Sequence, residues 1–222
     1  MSKRDAENTK LRLIETAERL FADRGLDGVS LRQINVASGQ RNASALHYHF
    51  GSRESLIEAI FVFRMSRIDE RRCEMIDDVI AAGRQNDLRA LMETKILPLS
   101  EQLDPSFEGN NYLRFFCEVR ANPKIDFRKF VTGKYDIGVT RANNLIIAIQ
   151  DHLPENLVRR RLYVETGMII NALADLESLM AARGHQVDSA DVELAVNNII
   201  DMAVGALNCP ASERVLQLAA RE

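Results

Sequence analysis

The chain has 222 residues, of which 46% are apolar and 27% charged, and its formal net charge is −3. This composition is typical of a globular protein of one or two domains that buries its own core. The three cysteines, Cys73, Cys117 and Cys209, are far apart and odd in number, which excludes a disulfide framework and a zinc ribbon. No apolar run approaches the roughly 20 residues that cross a bilayer, so we expect a cytoplasmic protein with no membrane segment.

Charge is unevenly distributed along the chain. Residues 1–53 hold nine Lys or Arg against six Asp or Glu, whereas residues 54–222 hold 20 against 26. A basic head in front of an acidic body favours a polyanionic partner for the head.

Apolar residues recur at three- and four-residue spacing almost everywhere, and this pattern predicts an all-α fold of about nine or ten helices. The first helix is predicted over residues 9–24, before Gly25. A capping box formed by Ser30 and Gln33 starts the second helix, which ends at Gly39. The third helix is predicted over residues 43–50, and the fourth from Ser52 to about residue 82.

The body is predicted to consist of further helices punctuated by proline and glycine. Their expected ranges are residues 87–103, 111–121, 126–153, 154–183 and 190–208, with a short helix near the C-terminus. Within residues 126–153, Gly133 and Gly138 are positions where the predicted helix is weakest.

The second and third helices have the spacing and the turn glycine of a helix-turn-helix. On the third helix, Leu46 and Phe50 fall on the inner face. The outer face then carries Ser44, Ala45, His47, Tyr48 and His49. Small residues at the start and hydrogen-bonding rings behind them are typical of a helix whose start enters the major groove.

Three segments occur in order between residues 9 and 61: LIETAERLFADRG, VSLRQI and SALHYHFGSRESLIEAI. In sequence and spacing they resemble the DNA-binding module of the TetR family of one-component transcriptional regulators. The resemblance implies an N-terminal three-helix DNA-binding domain, residues 1–52. It also implies a larger helical domain for ligand binding and dimerisation, residues 53–222.

The resemblance also implies a set of DNA contacts. The candidate residues are Ser30, Arg32, Arg41, Ser44, Ala45, His47, Tyr48, His49 and Arg53. The residues that start the second helix are expected at phosphates and base edges, and those of the recognition helix at bases. Tyr48, His49 and Arg53 are expected at the phosphate backbone.

The sequence departs from the family pattern in the turn. Gln40 and Arg41 stand where one apolar residue is usual, and Asn35 and Ser38 replace alanines. We therefore expect the recognition helix to lie at a slightly different angle.

In the body, the resemblance implies an effector pocket, and flexible Met and aromatic side chains are suited to line one. The candidates are Met65, Met75, Met92, Phe115, Phe116, Cys117, Phe130 and Met168. The alternative for each of them is a place in the ordinary core. A small, largely apolar effector is expected.

Residues 162–180 and 192–207 are apolar on more than one helical face, so these helices need a second partner. Small residues allow close packing there: Gly167, Ala174, Ala203 and Ala206. A symmetric four-helix dimer interface fits this pattern, and burial inside one large core is the alternative.

Two other classes of protein compete with a regulator. An enzyme is disfavoured because no nucleophile elbow, phosphate-binding loop or HExxH motif is present. His47 and His49 lie two residues apart and point to different sides of a helix, so we expect no metal and no cofactor. An all-α adaptor without DNA binding is the other alternative. The sequence favours a homodimeric regulator, most simply a repressor, that binds a palindromic operator in double-stranded DNA and is released by its effector.

Overall fold

A computed structural model describes residues 3–40, 45–103, 111–183 and 188–221, and it confirms the all-α class. The N-terminal helices are α1 (Lys3–Arg24), α2 (Leu31–Ala37), α3 (Ala45–Phe50) and α4 (Arg53–Ala81). They are followed by α5 (Leu88–Ser100), α6 (Tyr112–Ala121), α7 (Arg128–Val131), α8 (Ile137–Ile149), α9 (Glu155–Arg183), α10 (Ser189–Asn208) and α11 (Glu213–Ala219). We call α1–α3 the head and α5–α11 the body. None of the described helices is long and apolar enough to cross a bilayer.

Two helix predictions differ from the structure. Helix α1 begins six residues earlier than predicted. Its first turn contains Asp5, whose carboxylate interacts favourably with the positive end of the helix dipole. The single helix predicted over residues 126–153 is wrong, because the chain forms α7 and α8 there. The break contains Gly133 at φ +71°, a left-handed conformation that no helical residue adopts. This division brings the described helices to eleven.

Helix α4 packs against α5 and α8 in the body. Its buried Asp69 accepts the backbone N–H groups of Ile137 at 3.1 Å and Gly138 at 2.8 Å, and so caps the start of α8. A Cβ atom on Gly138 would lie 2.6 Å from Cβ of Arg72, so only glycine permits this approach of the two helices.

A buried ion pair joins α5 to α9. Nζ of Lys95 lies 2.7 Å from a carboxylate oxygen of Glu165, and the two side chains are 4% and 3% exposed. Burial lowers the pKa of Lys95, and the neighbouring Glu165 carboxylate opposes that shift. Because separating the pair would leave an uncompensated buried charge, it fixes α5 against α9.

An aromatic cluster fills the space where α4, α6 and α7 meet. The ring of Phe61 is central, and its centroid lies 5.2–6.3 Å from those of Tyr112, Phe115, Phe116, Phe127 and Phe130. Phe21 of α1 stacks on Phe115 at 6.2 Å. The cluster therefore continues from the body into the head.

Candidate functional site

Helix α2 begins and ends as the sequence predicts. The Ser30 hydroxyl accepts the N–H of Gln33, and the Gln33 side chain accepts the N–H of Ser30 at 2.7 Å, which confirms the capping box. At the other end, Gly39 adopts φ +72°, and the N–H of Gln40 donates to the Asn35 carbonyl at 3.0 Å. This is the Schellman geometry, which turns the chain towards α3.

Polar side chains fasten α2 to its neighbours. Oδ1 of Asn35, whose side chain is 4% exposed, accepts the backbone N–H of Leu46 in α3 at 3.2 Å. The hydroxyl of Ser38 donates to the Asn35 carbonyl at 2.9 Å, and Arg12 of α1 donates to the Ser38 carbonyl at 3.0 Å. The sequence shows Asn35 and Ser38 only as departures from alanine, because their hydrogen bonds form only in the folded turn. They orient the recognition helix.

The outer face of α3 is open to solvent. Leu46 anchors the helix from inside, whereas His47 is exposed and Tyr48 is 78% exposed. His49 is half-buried, with its ring edge-on to Tyr48 at 5.1 Å. Ala45 is also half-buried.

At the start of α2, Arg32 is exposed as well. Ser30 is exposed too, but its hydroxyl is engaged in the capping box. The predicted contacts Arg41 and Ser44 lie outside the described residues. The DNA contacts of all these residues stay predictions.

Arg53 has an internal position that the sequence did not predict. Its guanidinium donates to the carbonyl of Val29 and lies 4.9 Å from the ring centroid of Phe21. Burial lowers the pKa of Arg53, and the carboxylate of Asp27 opposes the shift. Arg53 thus ties the start of α4 to the segment before α2, and the phosphate contact predicted for it stays untested.

Two family models match the chain. Residues 13–60 match the bacterial regulatory proteins of the tetR family, and residues 95–206 match the tetracyclin repressor-like C-terminal domain. The second match alone spans half of the chain. The chain belongs to the TetR family of transcriptional regulators. Because this is a family of regulators, its membership confirms the expectation of a non-enzymatic protein with a DNA-binding helix-turn-helix.

Curated relatives of this TetR-family chain carry the name HTH-type transcriptional repressor AcnR. The protein from Corynebacterium efficiens is 30% identical over 112 residues, which cover 46% of this chain and 55% of the relative. The protein from Corynebacterium glutamicum is 34% identical over 112 residues, with the same coverage. The chain therefore spans about half the length of the curated relatives it matches.

Solved structures of TetR-family regulators share the fold. One from Shewanella sp. PV-4 superposes with a TM-score of 0.57 at 18% identity, covering 87% of this chain and 97% of that one. Another, from Marinobacter aquaeolei VT8, has a TM-score of 0.52 at 18% identity, with 90% and 97% covered. At this identity the likeness shows the fold alone.

Most of the predicted pocket residues are buried or half-buried in α4 and the TetR-family body. Met65, Met92, Phe115, Phe116 and Phe130 are buried, and Met75 and Cys117 are half-buried. The phenylalanines belong to the aromatic cluster, and burial raises the pKa of Cys117 to about 11. Met168 lies elsewhere, because it is 48% exposed on the outer side of α9. A pocket among these side chains stays a prediction.

A cleft of 420 Å³ opens beside the aromatic cluster, between α6, α8 and α9. It is lined by Arg120, Phe127, Arg128, Val139, Asn143, Ile147, Arg159, Leu162, Tyr163 and Thr166. None of the eight predicted pocket residues is in this lining. The sequence reasoning followed Met and aromatic residues, whereas the cleft is built from arginines and aliphatic side chains.

The predicted interface residues take different positions on α9 and α10. Ala174 and Ala203 are buried, and Ala206 is exposed. Gly167 faces α6 instead of outwards, since a Cβ atom there would lie 3.2 Å from Nη2 of Arg120. The outward apolar side chains of the two helices are larger: Val164, Met168, Leu179, Leu194 and Met202.

The head meets the body at the start of α6. The fully buried carboxylate of Glu18, in α1, accepts two bonds from Arg64 at 2.7 and 2.8 Å. It also accepts the backbone N–H of Asn111, directly before α6, at 3.2 Å. A carboxylate from the head thus meets the positive end of the α6 dipole.

A second carboxylate reaches the same helix end from the body. Glu177 of α9 accepts the backbone N–H groups of Leu113 at 3.4 Å and Arg114 at 3.0 Å. The Arg114 guanidinium lies 3.3 Å from Glu177 and 2.9 Å from Asp23 of α1. Burial raises the pKa of Glu177 to about 7, with a smaller contribution from the charge of Glu18, against the effect of these hydrogen bonds and of the Arg114 charge.

We predict that Asn35→Ala lowers the free energy of unfolding by about 1–3 kcal/mol, because the N–H of Leu46 loses its partner in a buried place. Binding to every DNA sequence should weaken with it, since the recognition helix is less firmly held. Urea unfolding and DNA titration measure the two effects. The exposed Asn144→Ala is the control, and a variant at position 35 as stable as the control would contradict the role of Asn35.

We predict that the raised pKa of Glu177 makes stability fall as the pH rises from about 4.5 to 7. In that window the folded protein keeps a proton that the unfolded chain loses, so folding is favoured at the lower pH. The contribution is up to roughly 3 kcal/mol. Glu177→Gln should remove it from urea unfolding curves across this range, whereas the exposed Glu193→Gln should not. A Glu177→Gln profile parallel to that of the unmodified protein would refute this assignment.

Proposed function

We propose that this chain is a homodimeric repressor whose head binds a palindromic operator and whose body releases the operator on binding a small effector. Residues 1–52 form the DNA-binding unit and residues 53–222 the sensing and dimerising unit in this proposal. The observation that carries it is the recognition helix, held rigidly from inside and open outside. Such a protein acts in the cytoplasm, where bacterial DNA lies.

The exposed face of α3 supports the DNA-binding role. His47 and Tyr48 are exposed on a helix whose position is fixed by Leu46 and Asn35, and Arg32 is exposed at the start of α2. Rigid placement matters because base readout needs donors and acceptors at set positions in the major groove. Two heads that engage half-sites one turn apart must hold their recognition helices roughly 34 Å from each other.

Surface area and exposed apolar side chains support a dimer. The chain exposes 12480 Å². A folded monomer of its mass typically exposes about 10,000 Å². Exposed apolar side chains lie on the outward face of α9 and α10, where Met168 and Met202 are about half-exposed beside Ala206. A second copy that covers this face in a four-helix arrangement would remove these side chains from water.

Repression is the sign of regulation that the relatives favour, since both matched AcnR proteins are named repressors. Coupling between effector and operator needs a body element that contacts the head. Helix α6 meets this need because it packs against α9 in the body and α1 in the head. An effector that binds more tightly to one arrangement of α6 shifts the spacing of the two heads.

We predict that Arg32→Ala weakens operator binding and lowers the slope of log K against log salt by about one, because one phosphate contact is lost. His47→Ala should instead change which sequences are preferred. Both are measured on DNA that the purified protein selects from a random library. The exposed Arg214→Ala, in α11, is the matched control. Unchanged slope and unchanged preference would remove these residues from the interface.

We predict that Met202→Glu converts the dimer into weakly associating monomers and reduces affinity for a palindrome, since it forces an unpaired charge into an apolar interface. Sedimentation at micromolar concentration measures the change. Ile80→Glu, a similarly exposed apolar position on α4, should leave the dimer intact. Dissociation by both variants, or by neither, would disprove the assignment of this face.

A further inference from the structure

The cleft between α6, α8 and α9 is unusually rich in cationic side chains. The Arg120 guanidinium lies 5.9 Å from the ring centroid of Phe127, and that of Arg128 lies 5.8 Å from the ring centroid of Tyr163. Among the described residues, neither guanidinium is paired with a carboxylate. Two arginines thus carry positive charge into one concave site without a protein counter-ion.

A buried amide adds an unmet hydrogen-bonding group. Asn143, a half-buried residue of α8, lines the cleft, and its Oδ1 atom is buried without a hydrogen-bond partner among the described residues. Buried polar atoms in folded proteins are nearly always satisfied, and this amide oxygen, as it is placed, would accept a hydrogen bond from a donor. The two ends of an amide are exchanged by a half-turn of the side chain, which lets Asn143 also present its N–H₂ to an anion.

The cleft also has an apolar part, beside Thr166 and a third arginine, Arg159, whose charge is paired with Glu155. Val139 and Ile147 of α8 and Leu162 of α9 contribute apolar side chains to the lining. A bare inorganic anion gains nothing from such a wall and loses its hydration, whereas a hydrocarbon group gains by leaving water. The ligand that satisfies both parts has an anionic end and an apolar body.

We propose that this cleft binds a small organic carboxylate, with the carboxylate at Arg120 and Arg128 and the hydrocarbon part against Val139, Ile147 and Leu162. A guanidinium matches a carboxylate through two parallel hydrogen bonds, which supports this choice of anion. The proposal rests on the proposed function and specifies its effector. It replaces the largely apolar effector expected from the sequence with an amphipathic anion.

The position of Arg120 gives the ligand a route to the head. Arg120 lies in the last turn of α6, and Arg114, in the first turn, contacts Asp23 of α1. These two residues are roughly 9 Å apart along the helix axis. A carboxylate that draws Arg120 into the cleft therefore acts on the same rigid helix that the head holds by its other end.

Isothermal titration calorimetry with benzoate and octanoate tests the site, with benzamide and octanamide as uncharged matches and inorganic phosphate as the bare anion. We expect at least one acid to bind about tenfold or more tightly than its amide, and more tightly than phosphate. Arg120→Gln and Arg128→Gln should each weaken that acid about tenfold or more, since a hydrogen bond to a charged group is lost. Arg141→Gln is the control: it removes an arginine of α8 that is paired with Asp77 of α4, and it should not weaken binding.

The outcomes separate the two proposals. Equal binding of acid and amide, preference for phosphate, or no binding of either acid overturns the carboxylate site. Because Arg128 is exposed, its glutamine variant is expected to fold, and a melting temperature equal to that of the unmodified protein checks this. An acid that binds through the arginines while operator affinity stays constant confirms the site and refutes its sensing role. If a neutral compound that competes with neither acid releases the operator, the repressor function stands and the carboxylate effector is refuted.

Discussion

The start of α6 is held between two buried carboxylates, and the relation of head to body depends on this constraint. Glu18 from α1 and Glu177 from α9 each accept backbone N–H groups at this helix end, and each also has an arginine partner. Desolvated charges are tolerated only when they are paired. A displacement of α6 alone would break these charge-assisted bonds, so α1, α6 and α9 must move together or not at all.

Helix α4 provides a second connection of a different kind. Its start is tied to the head through Arg53 and Val29, and its middle carries Phe61 into the aromatic cluster. Further along, Asp69 caps α8, one wall of the cleft. The polar contacts at the start of α6 therefore connect the body to α1, and α4 connects it to the segment before α2.

Local signals in the sequence were sufficient to predict where α2 begins and ends. The capping box at Ser30 and the glycine at position 39 define α2 without any tertiary contact. The roles of other residues could not be predicted, because they depend on contacts between distant segments. Asn35 bonds an N–H eleven positions away across the turn, and the cleft combines side chains from α6 to α9 that share no motif. Gly133 was visible as a weak point, but only its left-handed conformation shows a complete break.

The buried pair of Lys95 and Glu165 limits how the body can evolve as well as how it can move. A one-turn slip of α9 past α5 covers about 5.4 Å and would leave two charges stranded in the core. The Lys95–Glu165 pair thus fixes the register of α5 and α9, and neither residue lines the cleft. Substitutions at Val139 or Ile147, in the part of the cleft formed by α8, leave this ion pair intact. If the cleft binds the proposed carboxylate, substitutions in its wall can change ligand preference without changing the register of α5 and α9.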